Sequence, residues 1–149
     1  MNFSTETIKQ QLHRNAVAFI SLFIALSSLG YNTWRNETTE YQRNVRHAAF
    51  KVIDNLGELQ SVVNAMVYSQ QHADDDWIDG WGRVLAIETL GSVMPEPIPA
   101  QSLRLKEIWM QHFEELSAGR ETAQEADVKI AAQIDATKSA VLKVIAELD

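Results

Sequence analysis

Residues 45–66, VRHAAFKVIDNLGELQSVVNAM, decide the fold. Val45, Ala49, Val52, Leu56, Leu59, Val63 and Met66 follow one another in steps of four and three without a break. Residues spaced this way return to one face of an α-helix, so the run predicts a single apolar stripe, the seam geometry of helical bundles and coiled coils. Between Ala16 and Asn55 there is no proline and one glycine, Gly30. The helix is therefore expected to begin in the apolar run upstream and to extend from about residue 16 to about residue 70. Gly57 lies off the stripe and weakens the helix by up to about 1 kcal/mol relative to alanine.

That upstream run is NAVAFISLFIALSSLGYNTW, residues 15–34, which carries no charge between Arg14 and Arg35. Twenty helical residues rise roughly 30 Å, one hydrocarbon core. Its centre, Val17 to Leu29, holds eight of the residue types that favour the bilayer interior, with Ser21, Ser27, Ser28 and Asn32 offsetting part of the gain. Tyr31, Trp34 and Arg35 close it with the amphipathic rings and positive charge suited to the membrane–water interface. The expectation is a transmembrane anchor. A cleavable signal peptide is the alternative, with Lys9 and Arg14 as its basic region and Ala25-Leu26-Ser27 as a small-x-small site. A buried core helix is the third, hard to reconcile with so long an uncharged run in so small a domain. Basic residues flank both ends, Lys9 and Arg14 before the run and Arg35, Arg43 and Arg46 after it, so charge bias does not fix the orientation. A short basic tail is easily retained, which favours a domain on the extracytoplasmic (periplasmic) side; an anchored cytoplasmic domain, its three arginines meeting anionic headgroups, is the alternative.

The chain of 149 residues is thus expected to divide into a short polar tail (1–14), the membrane helix (15–34) and a helical domain (35–149). The net charge is −7; Lys9 and Arg14 against Glu6 put residues 1–34 at +1, which leaves −8 on the remainder. An acidic domain excludes nucleic acid as the natural partner, since phosphate neutralisation needs clustered Lys and Arg. With no cysteine, disulfides and thiolate metal sites are excluded as well.

Three more helices follow from spacing. Trp77, Trp81, Val84 and Ile87 share one side of a segment from about Asp76 to about Leu90. Leu105, Trp109, Phe113 and Leu116 share one face of the next. Ile130, Ile134, Thr137, Val141, Val144 and Leu148 repeat the four-and-three seam at the end of the chain. Thr122-Ala123-Gln124-Glu125 has the form of a capping box for that last helix, and Gly119 suits a left-handed end to the helix before it. Met94-Pro95-Glu96-Pro97-Ile98-Pro99 is expected to be an extended, stiff crossover. Short connections make successive helices antiparallel neighbours. The fold class expected is all-α, an N-terminal transmembrane helix continuing into a small antiparallel bundle of about four helices. The seams can close within the chain or pair with a second copy.

The most chemically suggestive segment is HADDDWIDGWG, residues 72–82. Oxygen-rich clusters suit calcium or magnesium, but an EF-hand loop counted from Asp74 needs glycine sixth and glutamate twelfth, and Asp79 and Leu85 stand there. The alternative is structural. Asp76 is a good N-cap, Asp79 takes the capping-box position, and Asp74 and Asp75 precede the positive end of the helix dipole. A partner-binding surface made of Asp74, Asp75, Asp76, Trp77, Asp79 and Trp81 is the functional rival. Gly80 and Gly82 there permit close approach by a neighbour, most simply another helix of the bundle. His13, His47, His72 and His112 include no i, i+4 pair. No Glu-x-x-His, nucleophile elbow, phosphate loop or dinucleotide fingerprint is present. No catalytic residue, metal ligand or cofactor is expected.

The run SLGYNTWRNE after an apolar stretch, followed by GWGRV and MPEPIP, resembles an uncharacterised family of small bacterial single-pass membrane proteins of similar length. The resemblance implies a bacterial membrane protein and carries over no activity. The function expected is a non-enzymatic interaction or scaffold module of the cell envelope, with the lipid bilayer and a protein partner, or a second copy through the seams, as its contacts. A ligand-sensing bundle acting through a partner, and a metal-binding protein using residues 74–79, are the alternatives.

Overall fold

The computed structural model describes residues 13–68 and 76–148, with the backbone alone at residue 76. Among these residues the regular structure is helical throughout. Four helices follow in order: α1 (Ala16–Tyr68), α2 (Asp76–Ser92), α3 (Ile98–His112) and α4 (Arg120–Glu147), with a 3₁₀ turn at Glu114–Ser117 between the last two. The chain forms two compact units, residues 1–41 and 42–149. Residues 16–41 of α1 belong to the first and residues 42–68 to the second.

In the first unit the apolar run has no packing partner among the described residues. Val17, Phe19, Ile20, Leu22, Phe23, Ile24, Leu26 and Leu29 are each more than half exposed. They occur at consecutive and near-consecutive positions and so point to every side of the helix. Thr38 and Thr39 donate their hydroxyls to the carbonyls of Trp34 and Arg35, both at 2.9 Å, which satisfies these side chains within the helix.

The second unit is an antiparallel four-helix bundle, and the seam predicted from residues 45–66 is its spine. Val45, Ala49, Val52, Leu56, Leu59, Val63 and Met66 are all buried, joined by Ala48. Each fully buried Val, Leu or Ile contributes roughly 1.5–3 kcal/mol relative to an exposed one. Helix α4 lies antiparallel to this spine. Arg46 donates to the Leu148 carbonyl at one end (3.1 Å), and the Tyr68 hydroxyl donates to Asp127 at the other (3.1 Å). An Arg83–Glu58 ion pair joins α2 to α1. Lys106 binds both oxygens of Glu88 between α3 and α2, at 2.7 and 2.9 Å. Gln133 on α4 donates to the side chain (2.9 Å) and backbone (3.3 Å) of Gln101 on α3. The Thr137 hydroxyl, also buried, bonds back to the Gln133 carbonyl at 2.8 Å.

Several local expectations are corrected. Helix α4 begins at Arg120, and its N-cap is Gly119 in an extended conformation (φ −100°, ψ 158°), so Thr122 lies inside the first turn and caps nothing. The helix before Gly119 has already ended at His112, so no left-handed terminator is needed there. The starting point is set by Ala123 and Ala126, both buried, which extend the α4 seam further back than the larger apolar residues indicated. At the other end, Leu148 falls just beyond the helix and is partly buried.

The proline-rich connector is a compact turn in place of an extended strut. Met94 N–H bonds to the Gly91 carbonyl (3.0 Å) and Ile98 N–H to that of Pro95 (3.2 Å). Ile98 and Pro99 already belong to α3. A proline is tolerated in the first helical turn because its missing N–H has no intrahelical partner there anyway.

Candidate functional site

The antiparallel arrangement brings four chain segments to one end of the bundle: the end of α1, the start of α2, the 3₁₀ turn after α3, and the start of α4. The suspected Asp/Trp segment lies partly here, and its members separate. Asp74 and Asp75 fall outside the described residues. Helix α2 begins at Asp76 itself, so Asp76 lies within the helix and not ahead of it as the expected cap. Asp79 is exposed in the first turn.

The two tryptophans, expected on one side of α2, part company. Trp81 is partly buried and completes an aromatic cluster. Its ring meets Trp109 edge-on (centroids 6.5 Å, 90°) and Phe113 at 5.7 Å and 70°, while Trp109 and Phe113 stack at 6.1 Å. Trp77 is 47% exposed and stays outside the core. The buried stripe of α2 runs through Gly80, Val84, Ile87 and Gly91 instead. Glycine is required at Gly80 because the six-membered ring of Trp109 occupies the space where a Cβ would stand. Gly91 receives Ser102 in the same way, while Gly82 faces open space. The close approach anticipated from the glycines is thus made by α3 side chains, and at two different positions.

Trp77 forms one wall of a groove of about 460 Å³ lined by Met66, Phe113, Glu114 and Ser117. Each wall has a structural reason. Met66 is the last seam residue of α1, and its flexible thioether suits an irregular boundary. Phe113 caps α3, its N–H bonded to the Trp109 carbonyl at 2.9 Å. Glu114 and Ser117 lie on the 3₁₀ turn, which His112 pins through its Nδ1, 2.7 Å from the Glu115 carboxylate. The carboxylate is acceptor-only, so this nitrogen carries the proton. Glu114 itself makes no ion pair or hydrogen bond among the described residues.

A second cavity of similar size opens next to it, sharing Met66 and Ser117 and bordered by Tyr68, Gly119, Arg120 and Gln124. The hydrogen bond to Asp127, reinforced by that group's negative charge, raises the Tyr68 phenol above its usual pKa, while the nearby Arg120 acts in the opposite direction. Spacing in the sequence could not assemble either cavity, because the lining residues of each lie far apart in the chain. Only the up-and-down order, once accepted, places residues 66, 77, 113 and 120 at a common end.

Among the described residues, no group of three or more His, Asp or Glu side chains is arranged to hold a metal ion. At the other suspected site, Tyr31 and Trp34 are 58% and 63% exposed with their rings 6.1 Å apart, and Arg35 is exposed beside them.

The chain matches no family model, no curated protein and no solved structure.

Proposed function

We propose that the protein is a membrane-anchored, non-enzymatic helical interaction module of a bacterial cell envelope. One observation carries this reading: eight large apolar side chains between Val17 and Leu29 are exposed on every side of the uncharged stretch of α1. In water that surface has no use, whereas a hydrocarbon environment would solvate all of it. Tyr31, Trp34 and Arg35 would then sit at the interface. The bundle, by contrast, uses polar side chains for register between α3 and α4 and for surface ion pairs.

The test is alkaline carbonate extraction of bacterial membranes containing the full chain, followed by protease protection of spheroplasts. Retention in the pellet, with the bundle cleaved only from outside, is the expected result. Release into the supernatant would sink the anchor.

The groove beside Trp77 favours a second reading, a ligand-sensing bundle that works through a partner. A ligand-dependent rise in melting temperature that requires Trp77 would support it over a purely structural module.

A further inference from the structure

We propose that the groove between Trp77 and Phe113 seats a basic side chain, lysine or arginine, presented by a protein partner. The inference rests on the interaction-module reading and specifies the chemistry of the partner.

The lining selects the occupant. Trp77 is nearly half exposed, although Trp81, one turn further on, is packed into an aromatic cluster. An indole face left open to solvent attracts a cation through its ring quadrupole. Met66 and Phe113 supply an apolar surface along which the methylene stem of lysine or arginine can lie. Glu114, without a partner among the described residues, stands on the same wall and offers a charge-assisted hydrogen bond to the cationic head. The volume, about 460 Å³, lies within the range of roughly 300–1,000 Å³ typical of sites for small groups.

Charge argues the same way. An anionic occupant would meet Glu114 in a domain that carries −8, whereas a basic one is attracted to both. Arg120 borders the adjacent cavity and not this groove, and Glu121 and Glu125 follow it on the same exposed turns of α4. A free small ammonium would gain the ring contact but cover neither Met66 nor Phe113. A side chain with a stem covers both, which favours a polypeptide source.

The experiment uses the full chain in dodecyl maltoside. It is titrated calorimetrically with an acetylated, amidated glycine peptide carrying three lysines, with the same peptide carrying glutamates, and with methylammonium. The lysine peptide is expected to bind and the glutamate peptide not. Trp77→Ala should weaken binding roughly five-fold or more, and Trp77→Phe should retain most of it. Glu114→Gln should weaken binding and flatten its salt dependence, while Glu107→Gln, on the exposed side of α3, leaves it unchanged. Equal binding of the two peptides, or binding indifferent to Trp77→Ala, overturns the proposal. Methylammonium binding as tightly as the peptide overturns the polypeptide occupant. Cross-linking of the full chain in its native membrane separates the two levels. A cross-linked partner together with no lysine-peptide binding removes this inference and leaves the interaction module standing. Absence of any cross-linked species removes both.

Discussion

Two apolar-rich stretches of α1 meet opposite fates. Between residues 17 and 29 the large apolar side chains occur on every side and are all exposed; between 45 and 66 those spaced three or four residues apart, from Val45 to Met66, are buried, while Phe50, off that stripe, is exposed. The difference is one of arrangement. A stripe can be covered by two neighbouring helices, and α2 and α4 cover this one. A helix that is apolar all round needs an apolar environment on every side, which a bundle of this size cannot provide. Periodicity, more than hydrophobicity, tells the two environments apart.

The strongest way to break the comparison is to make the upstream stretch unfit for lipid. Phe23→Arg combined with Leu26→Arg should disfavour insertion by roughly 2.5–3.5 kcal/mol per charge. Carbonate extraction should then find the chain in the soluble fraction, while the circular dichroism melt of the bundle stays where it was. A bundle that lost its melt along with the membrane would show that the two stretches are one folding unit.

Matched leucines sharpen it. Leu56→Ala removes a fully buried side chain and should cost about 2–5 kcal/mol of unfolding free energy. Leu22→Ala, at 55% exposure, should change bundle stability by less than about 0.5 kcal/mol in the same urea titration. Equal effects would contradict the burial assigned to the seam.

Paired glycines extend the contrast to α2. A methyl at Gly80 collides with the Trp109 ring, so Gly80→Ala should destabilise by about 1–3 kcal/mol despite the gain in helix propensity. Gly82→Ala enters open space and should stabilise by about 0.5–1 kcal/mol. Differential scanning calorimetry of both variants decides this by sign alone.

The smallest effect concerns Tyr68, exposed at the end of the seam. Its phenol is raised by its bond to the Asp127 carboxylate and by that group's charge, so the neutral form is favoured in the folded state. A raised pKa stabilises the fold below the unfolded value, near 10, and the contribution is lost as pH rises through the folded value. Wild type and Tyr68→Phe should therefore differ slightly in melting temperature near neutral pH and converge above the ordinary tyrosine range. A gap that widens with alkali would reverse the sign.

The seams of α1 and α4 were legible in the sequence because one period runs through each. The ends of the elements were harder. Ala123 and Ala126 are too small to announce a buried face beside Glu121 and Glu125, so α4 was expected to start at a conventional capping sequence that the chain does not use. Trp77 and Trp81 are four residues apart and share a face by spacing, yet Gly80 takes the position nearest α3 because Trp109 needs the room. That requirement belongs to the opposite helix and leaves no local trace. The same is true of the groove, whose walls lie far apart in the chain and meet only through topology.

The buried amide of Gln133 has a consequence for how the chain meets copies of itself. Its nitrogen reaches Gln101 on α3, with Thr137 one turn further along α4. Sliding α4 by a single turn would leave that nitrogen facing aliphatic carbon, stranded without water. The contact therefore works as a keyed joint: α4 fits α3 at one offset. A second molecule that lent its own α4 would have to reproduce the same offset and first evict the resident helix. A helix lent by another copy would make the same contact, so the joint fixes the register of α4 whichever molecule supplies it.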